Sequence, residues 1–168
     1  ITAIIVSVAL TGAFAISAPL IANAAEGDTV NGTTSLTLTG DSSALTLDSV
    51  PSFNWGSKDT TAVQTQQSIS GTGNLQVTDG RGGSSGYTVT ALASSMTSSG
   101  NTLPVTAMTI STTAASPLTG VTGANILSSN TVLTGGADAN GTLATTDSTG
   151  YITVGNAAKT GTYSGTIT

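Results

Sequence analysis

From Ala25 to the end of the chain no stretch repeats with the 3.6-residue period of an amphipathic helix, and the apolar residues instead alternate with Thr and Ser. Leu36 and Leu38 alternate with Ser35, Thr37 and Thr39, and Leu45 and Leu47 alternate with Thr46 and Asp48. Leu75 and Val77 are interleaved with Gln76 and Thr78, and Tyr87, Val89 and Ala91 with Thr88 and Thr90. A two-residue period puts one set of side chains on each face of a pleated strand, so each segment buries one face and leaves a hydroxyl-bearing face in water. Further segments of this kind lie at Leu103–Ile110, Asn130–Thr134, Tyr151–Val154 and Tyr163–Thr168, and their β-branched content favours strand over helix. The stretch Leu118–Leu133 also admits a short helical turn through Val121, Ala124, Ile126 and Leu127. Many short strands joined by polar, glycine-bearing links point to an all-β protein, an antiparallel β-sandwich with Greek-key-like connections.

Turn chemistry separates the strands. Gly40–Ser43 links the first two, and Val50–Gly56 closes the second with a proline corner. Between Leu75–Thr78 and Tyr87–Ala91, the run Asp79, Gly80, Arg81, Gly82 and Gly83 offers positive φ at little steric cost and reads as the turn of a hairpin. Arg81 is one of only three basic residues in the chain. It either meets a ligand carboxylate from this loop or pairs with Asp79 and the neighbouring backbone. No helix pattern follows the glycines, as a phosphate-binding loop would require.

Ile1–Ile21 is an apolar run without a charge, followed directly by Ala22-Asn23-Ala24. This is the pattern of a signal-peptide h-region and its A-x-A cleavage site, with cleavage between Ala24 and Ala25. The rival reading of residues 1–24 is a retained apolar helix, either a membrane anchor or the packing core of a filament. The run opens without the Lys or Arg of a complete signal peptide, and Tyr163–Thr168 begins a strand just as the sequence stops, so both ends read as cut. Residues 25–168 form the remaining domain, which is expected to be truncated at its C-terminus.

Charge excludes several functions. The net charge is −5, with only Lys58, Arg81 and Lys159 positive, so no basic patch exists to neutralise phosphates and nucleic acid is not a partner. His and Cys are absent, which removes imidazole bases, thiol nucleophiles, disulfides and the usual zinc ligands. No pair of carboxylates sits in a recognisable catalytic context, although Asp48 and Asp79 are free to converge in space as a glycosidase pair would. The chain is therefore read as non-enzymatic, with no catalytic residues, no metal and no cofactor. Asp138–Gly141 and Asp147–Gly150 carry oxygen ligands suited to calcium, but turn chemistry explains both stretches equally. Trp55 and Phe53 can stack on sugar rings, or they belong to the core beside the proline corner.

Four stretches in this order, Leu45–Gly56, Leu75–Gly82, Gly86–Thr90 and Gly161–Thr168, together resemble the WxL-domain surface proteins of Gram-positive bacteria. The Asp79–Gly82 turn followed by a Gly-aromatic strand is the most specific part of the resemblance. It implies export to the cell surface and non-covalent binding to peptidoglycan of the cell wall, often beside companion surface proteins, with no membrane attachment after signal cleavage. The first Trp-x-Leu motif of the family falls on Tyr87-Thr88-Val89, which keeps the aromatic-x-aliphatic character without either named residue, and the second is expected directly after Thr168. The expected wall-binding residues are Trp55, Asp79, Arg81, Tyr87 and Tyr163. The alternative of a different class is a structural subunit of a surface filament or layer, assembled from copies of itself through the apolar N-terminal segment.

Overall fold

The structure is a computed structural model that describes residues 35–41, 44–83 and 85–168. The expected N-terminal helix lies outside the described residues. The chain divides into two units, Ile1–Leu38 and Thr39–Thr168. In the first, residues 35–38 form no strand, and Leu36 and Leu38 are 67% and 85% exposed. The strand expected at 35–39 is therefore absent: alternation alone does not make a strand when no neighbouring strand pairs with its backbone.

Every strand pairing in the second unit is antiparallel. In chain order the strands are β1 (Leu45–Ser49), β2 (Gln67–Ser70), β3 (Gln76–Asp79), β4 (Tyr87–Ala91), β5 (Thr97–Ser98) and β6 (Asn101–Thr102). They continue as β7 (Val105–Thr113), β8 (Leu118–Gly120), β9 (Ala124–Asn125), β10 (Asn130–Gly135), β11 (Gly141–Ala144) and β12 (Asp147–Val154). A single 3-10 turn at Ala62–Gln64 is the one helical element among the described residues. The sheet orders are β1-β3-β11, β4-β10-β8 and β2-β12-β7-β9, plus the small hairpin β5-β6. Ser99 and Gly100, at φ 45° and 82°, supply the two left-handed residues that a two-residue hairpin loop needs between β5 and β6.

The expected hairpin of β3 and β4 does not form. Both strands exist, but β1 and β11 occupy the two edges of β3, so β4 pairs with β10 in a different sheet. The glycine-rich link between them crosses from one sheet to another. Likewise, Leu118–Leu133 contains β8, β9 and the start of β10 rather than a helical turn. Tyr163–Thr168 makes only isolated bridges, Ser164 with Thr97 and Ile167 with Ala93.

The three larger sheets share one core. Val77 of β3, Ala91 of β4, Leu118 of β8, Val132 and Leu133 of β10, Met108 and Ile110 of β7, and Ile152 and Val154 of β12 all belong to a single buried cluster. Along β7 and β12 the alternation is regular, and the register stacks Ile110 on Gly150 and Met108 on Ile152. Leu133 and Ile126 are fully buried, each contributing about 1.5–3 kcal/mol by removal from water. A bulge between Thr131 and Leu133 lets the successive residues Val132 and Leu133 both face inward. The buried Thr112 hydroxyl donates to the Val132 carbonyl at 2.6 Å and accepts from the Val121 amide at 3.1 Å, tying β7 to the bulged strand. Thr145, also buried, accepts from the Leu75 amide at 3.1 Å. Hydroxyls thus satisfy the core's irregular backbone, and among the described residues Asp79 is the only buried charge.

Candidate functional site

The link from β3 to β4 is built by one ion pair and by glycines. Asp79 is buried at 5% exposure and its carboxylate accepts three hydrogen bonds from Arg81. These come from the backbone amide at 3.0 Å, Nε at 2.9 Å and Nη2 at 2.7 Å. The same Nη2 also donates to the Gly86 carbonyl at 2.7 Å, just before β4. The planar guanidinium fork thus clamps the two ends of the link, which a single ammonium does less well. The side-chain hydrogen bonds from Arg81 hold the Asp79 carboxyl down to about 2, against the opposing effect of burial, and Asp79 in turn raises Arg81. Of the two roles open to Arg81 in the sequence, pairing with Asp79 is the one adopted. Gly82 takes φ +68° opposite Gly40, where a side chain would collide with the Arg81 carbonyl. The Gly80 carbonyl accepts from the Asp41 amide at 3.1 Å, and the Gly80 amide donates to Ala44 at 2.6 Å.

Beside this clamp, the Tyr87 ring lies across Gly135, its partner on β10; a Cβ there would sit 2.5–2.8 Å from three ring atoms. An aromatic side chain over a cross-strand glycine covers backbone that would otherwise be wet. The Tyr87 hydroxyl is buried and has no protein partner, and burial is the first cause of its raised pKa. Trp55 stacks on Phe53 at 6.0 Å between ring centroids, both half-buried against the core, with the indole Nε1 buried and unpartnered. Phe53 lies over Gly71 and Gly150 in the same manner that Tyr87 covers Gly135. Tyr163 is half-buried and donates its hydroxyl to the Lys159 carbonyl at 3.1 Å.

The structure therefore brings three of the five expected site residues together, Asp79, Arg81 and Tyr87. Trp55 belongs with Phe53 and β12, and Tyr163 with the Lys159 turn. Sequence reasoning missed an outward-facing polar row on the β1-β3-β11 sheet. Asp48 accepts from Thr46 at 2.7 Å and from Thr78 at 2.5 Å, and Thr78 in turn meets the Thr142 hydroxyl at 2.8 Å. The alternation of Thr46 and Asp48 was visible, but the register that adds Thr78 and Thr142 depends on β11, which carries a weak strand signal. These hydrogen bonds, Thr78 first, lower the Asp48 pKa.

Asp48 shares a face with Thr78, whereas Asp79 is the next residue on β3 and points to the opposite face, so the two carboxylates do not converge. Both are held below the ordinary carboxylate range, while a glycosidase acid needs a raised one. Gly82–Gly86 matches the spacing Gly-x-Ser-x-Gly, but it joins two strands rather than a strand to a helix, and the chain has no histidine to serve as base. Among the described residues no three acidic groups gather as a metal site would require. Nor is any helix there long and apolar enough to cross a membrane.

A family model described as "WxL domain surface cell wall-binding" matches residues 16–168. No curated protein and no solved structure matches the chain.

Proposed function

The chain belongs to the WxL-domain family of surface proteins that bind the cell wall, and from that premise we propose that it is an exported, non-enzymatic binder of peptidoglycan. The observation that carries this reading is the family match across nearly the whole chain, covering every strand described. The charge distribution narrows how such a protein holds the wall. At −5 it gains nothing from long-range attraction to an anionic polymer. Contact therefore rests on short-range hydrogen bonds and aromatic surface. The outward row of exposed Thr46, Asp48 and Thr142 with half-buried Thr78 offers hydroxyls and one carboxylate on a sheet face, a surface suited to the hydroxyls and amides of a glycan-peptide mesh. Asp79 and Arg81 satisfy each other and hold the corner in shape, and the Tyr87 ring is spent on Gly135.

The test is sedimentation with purified peptidoglycan across a salt series. The bound fraction is expected to change less than about twofold between 50 and 300 mM salt, because few ions are released on binding. Thr78→Val with Thr142→Val is expected to weaken binding while leaving the melting curve in place. Binding that collapses with salt, or a folded double variant that binds like the parent, refutes this mode of attachment. Release of soluble glycan fragments during the assay would refute the non-enzymatic assignment.

A further inference from the structure

The outward row on the β1-β3-β11 sheet has a fixed hydrogen-bond direction. Asp48 is a carboxylate and only accepts, so both hydroxyls that contact it are donors, Thr46 to Oδ1 at 2.7 Å and Thr78 to Oδ2 at 2.5 Å. A hydroxyl carries one proton, and that of Thr78 is spent on Asp48. The hydroxyl contact between Thr78 and Thr142 at 2.8 Å therefore has Thr142 as its donor. All three protons are directed along the row toward Asp48, and none is left to offer outward. What the row still presents is acceptor capacity: the second lone pair on each Asp48 oxygen and the free lone pairs of Thr46 and Thr142.

The carboxylate has no cation of its own. The ion pair found among the described residues joins Asp79 to Arg81, and it is hydrogen bonds from Thr78 and Thr46, not a neighbouring charge, that lower the Asp48 pKa. Asp48, Thr46 and Thr142 are exposed, so their acceptors face water. The cross-strand register of Thr46, Thr78 and Thr142 holds them on a three-stranded sheet rather than on a loop. A surface of acceptors disfavours any group that needs a donor in return. Carboxylates and phosphates meet repulsion at Asp48, and a sugar hydroxyl can use only its donating half. A primary ammonium is the converse case, with three donors, no acceptor and the charge opposite to that of Asp48.

We propose that Asp48, with Thr46, Thr78 and Thr142 orienting it, is a recognition site for a primary ammonium group. The carrier of that group rests on the wall-binding reading, which the site makes more specific. Two parts of a glycan-peptide mesh can supply it, the side chain of a diamino acid in the peptide and a hexosamine that has lost its N-acetyl group. One exposed charge pair is worth up to about fivefold in affinity. The site therefore sorts wall polymers by their free amines rather than anchoring the protein alone. At contact distance such a pair is screened little, which agrees with the weak salt dependence expected of wall binding.

The first arm of the experiment titrates the 168-residue chain with Nα-acetyl-lysine amide and, separately, with a glucosamine trimer bearing free amines, read by backbone amide chemical shifts. Saturable shifts are expected at residues 46–49, at Thr78 and at Thr142, and they are expected to vanish in Asp48→Asn. The amine that produces them names the source. The N-acetylated trimer, which keeps every sugar hydroxyl, is expected to leave the spectrum unchanged. The second arm sediments the protein with purified peptidoglycan before and after its amines are acetylated with acetic anhydride, and needs no variant. Acetylation is expected to weaken binding of the parent at least twofold and to leave Asp48→Asn, weaker from the start, unchanged. Shifts from neither amine, or equal shifts in Asp48→Asn, overturn the proposal. So does equal binding of native and acetylated wall, a result that leaves wall binding itself standing. Amine shifts at Asp48 without sedimentation on either wall preparation uphold the site and refute the wall-binding reading instead.

Discussion

The contact of Tyr87 with Gly135 makes a quantitative prediction through a double-mutant cycle. Gly135 does not need a left-handed backbone, so alanine is locally acceptable there and by itself gains about 0.4–1 kcal/mol by restricting the unfolded chain. In the native protein that gain is opposed, because the new Cβ falls 2.5 Å from Tyr87 Cζ and the ring has to move. Forcing a packed side chain aside costs about 1–3 kcal/mol, so Gly135→Ala is expected to destabilise by about 1–2 kcal/mol overall. With Tyr87→Ala in place the obstacle is gone, and adding Gly135→Ala is expected to stabilise that background by about 0.4–1 kcal/mol. The sign reversal amounts to a coupling of roughly 1.5–3 kcal/mol, well above the ~0.3–0.5 kcal/mol scatter of independent sites. Urea unfolding of the four proteins at a common m-value measures it, and with m near 1–3 kcal/mol/M the single glycine variant should lose about 0.5–1 M in midpoint. If the two substitutions are additive, or if Gly135→Ala stabilises the parent, the ring does not lie on Gly135 and the account of this corner is wrong.

Two further outcomes follow from the same structure. Asp79 is held at about 2 in the folded protein against 3.8 for an ordinary aspartate, so its contribution is fully present above pH ~4 and is lost as pH falls through about 2. Urea midpoints between pH 6 and pH 2 should therefore fall in the parent and fall less steeply in Asp79→Asn, whose midpoint at neutral pH is already lower; an unchanged slope contradicts the pairing. Leu133→Ala, at a fully buried position beside the bulge, should cost about 2–5 kcal/mol by urea unfolding, and a loss below 1 kcal/mol would place Leu133 outside the core.

The fold class was legible because alternation is a local signal, and β1, β4 and β10 lie within a residue of where it puts them. What was not legible is pairing. β2 (Gln67–Ser70) and β11 (Gly141–Ala144) are strands with three polar or small residues in four, and they exist because β12 and β3 offer them ladders. Once β11 takes the second edge of β3, the hairpin that the glycine-rich turn suggests has no place to form, and β4 is driven to β10. At the site, the Asp79–Arg81 pair was readable because two opposite charges two residues apart in a nearly uncharged chain have few other partners. The seat of Tyr87 on Gly135 was not, since it is set by a cross-strand register between distant segments and by a bulge in β10. The same holds for the outward row from Thr46 to Thr142, which three strands distant in sequence assemble.

The Arg81 fork links these features into one device. In a chain with only 7% charged residues it is the strongest directional contact in the link, and it joins the end of β3 to the start of β4 across two sheets. By taking the Gly86 carbonyl it also holds the chain where it enters β4. The corner that orders the β3–β4 crossing thus also sets Tyr87, the first residue of β4, over Gly135, so one ion pair supports both the crossing and the aromatic cover beside it.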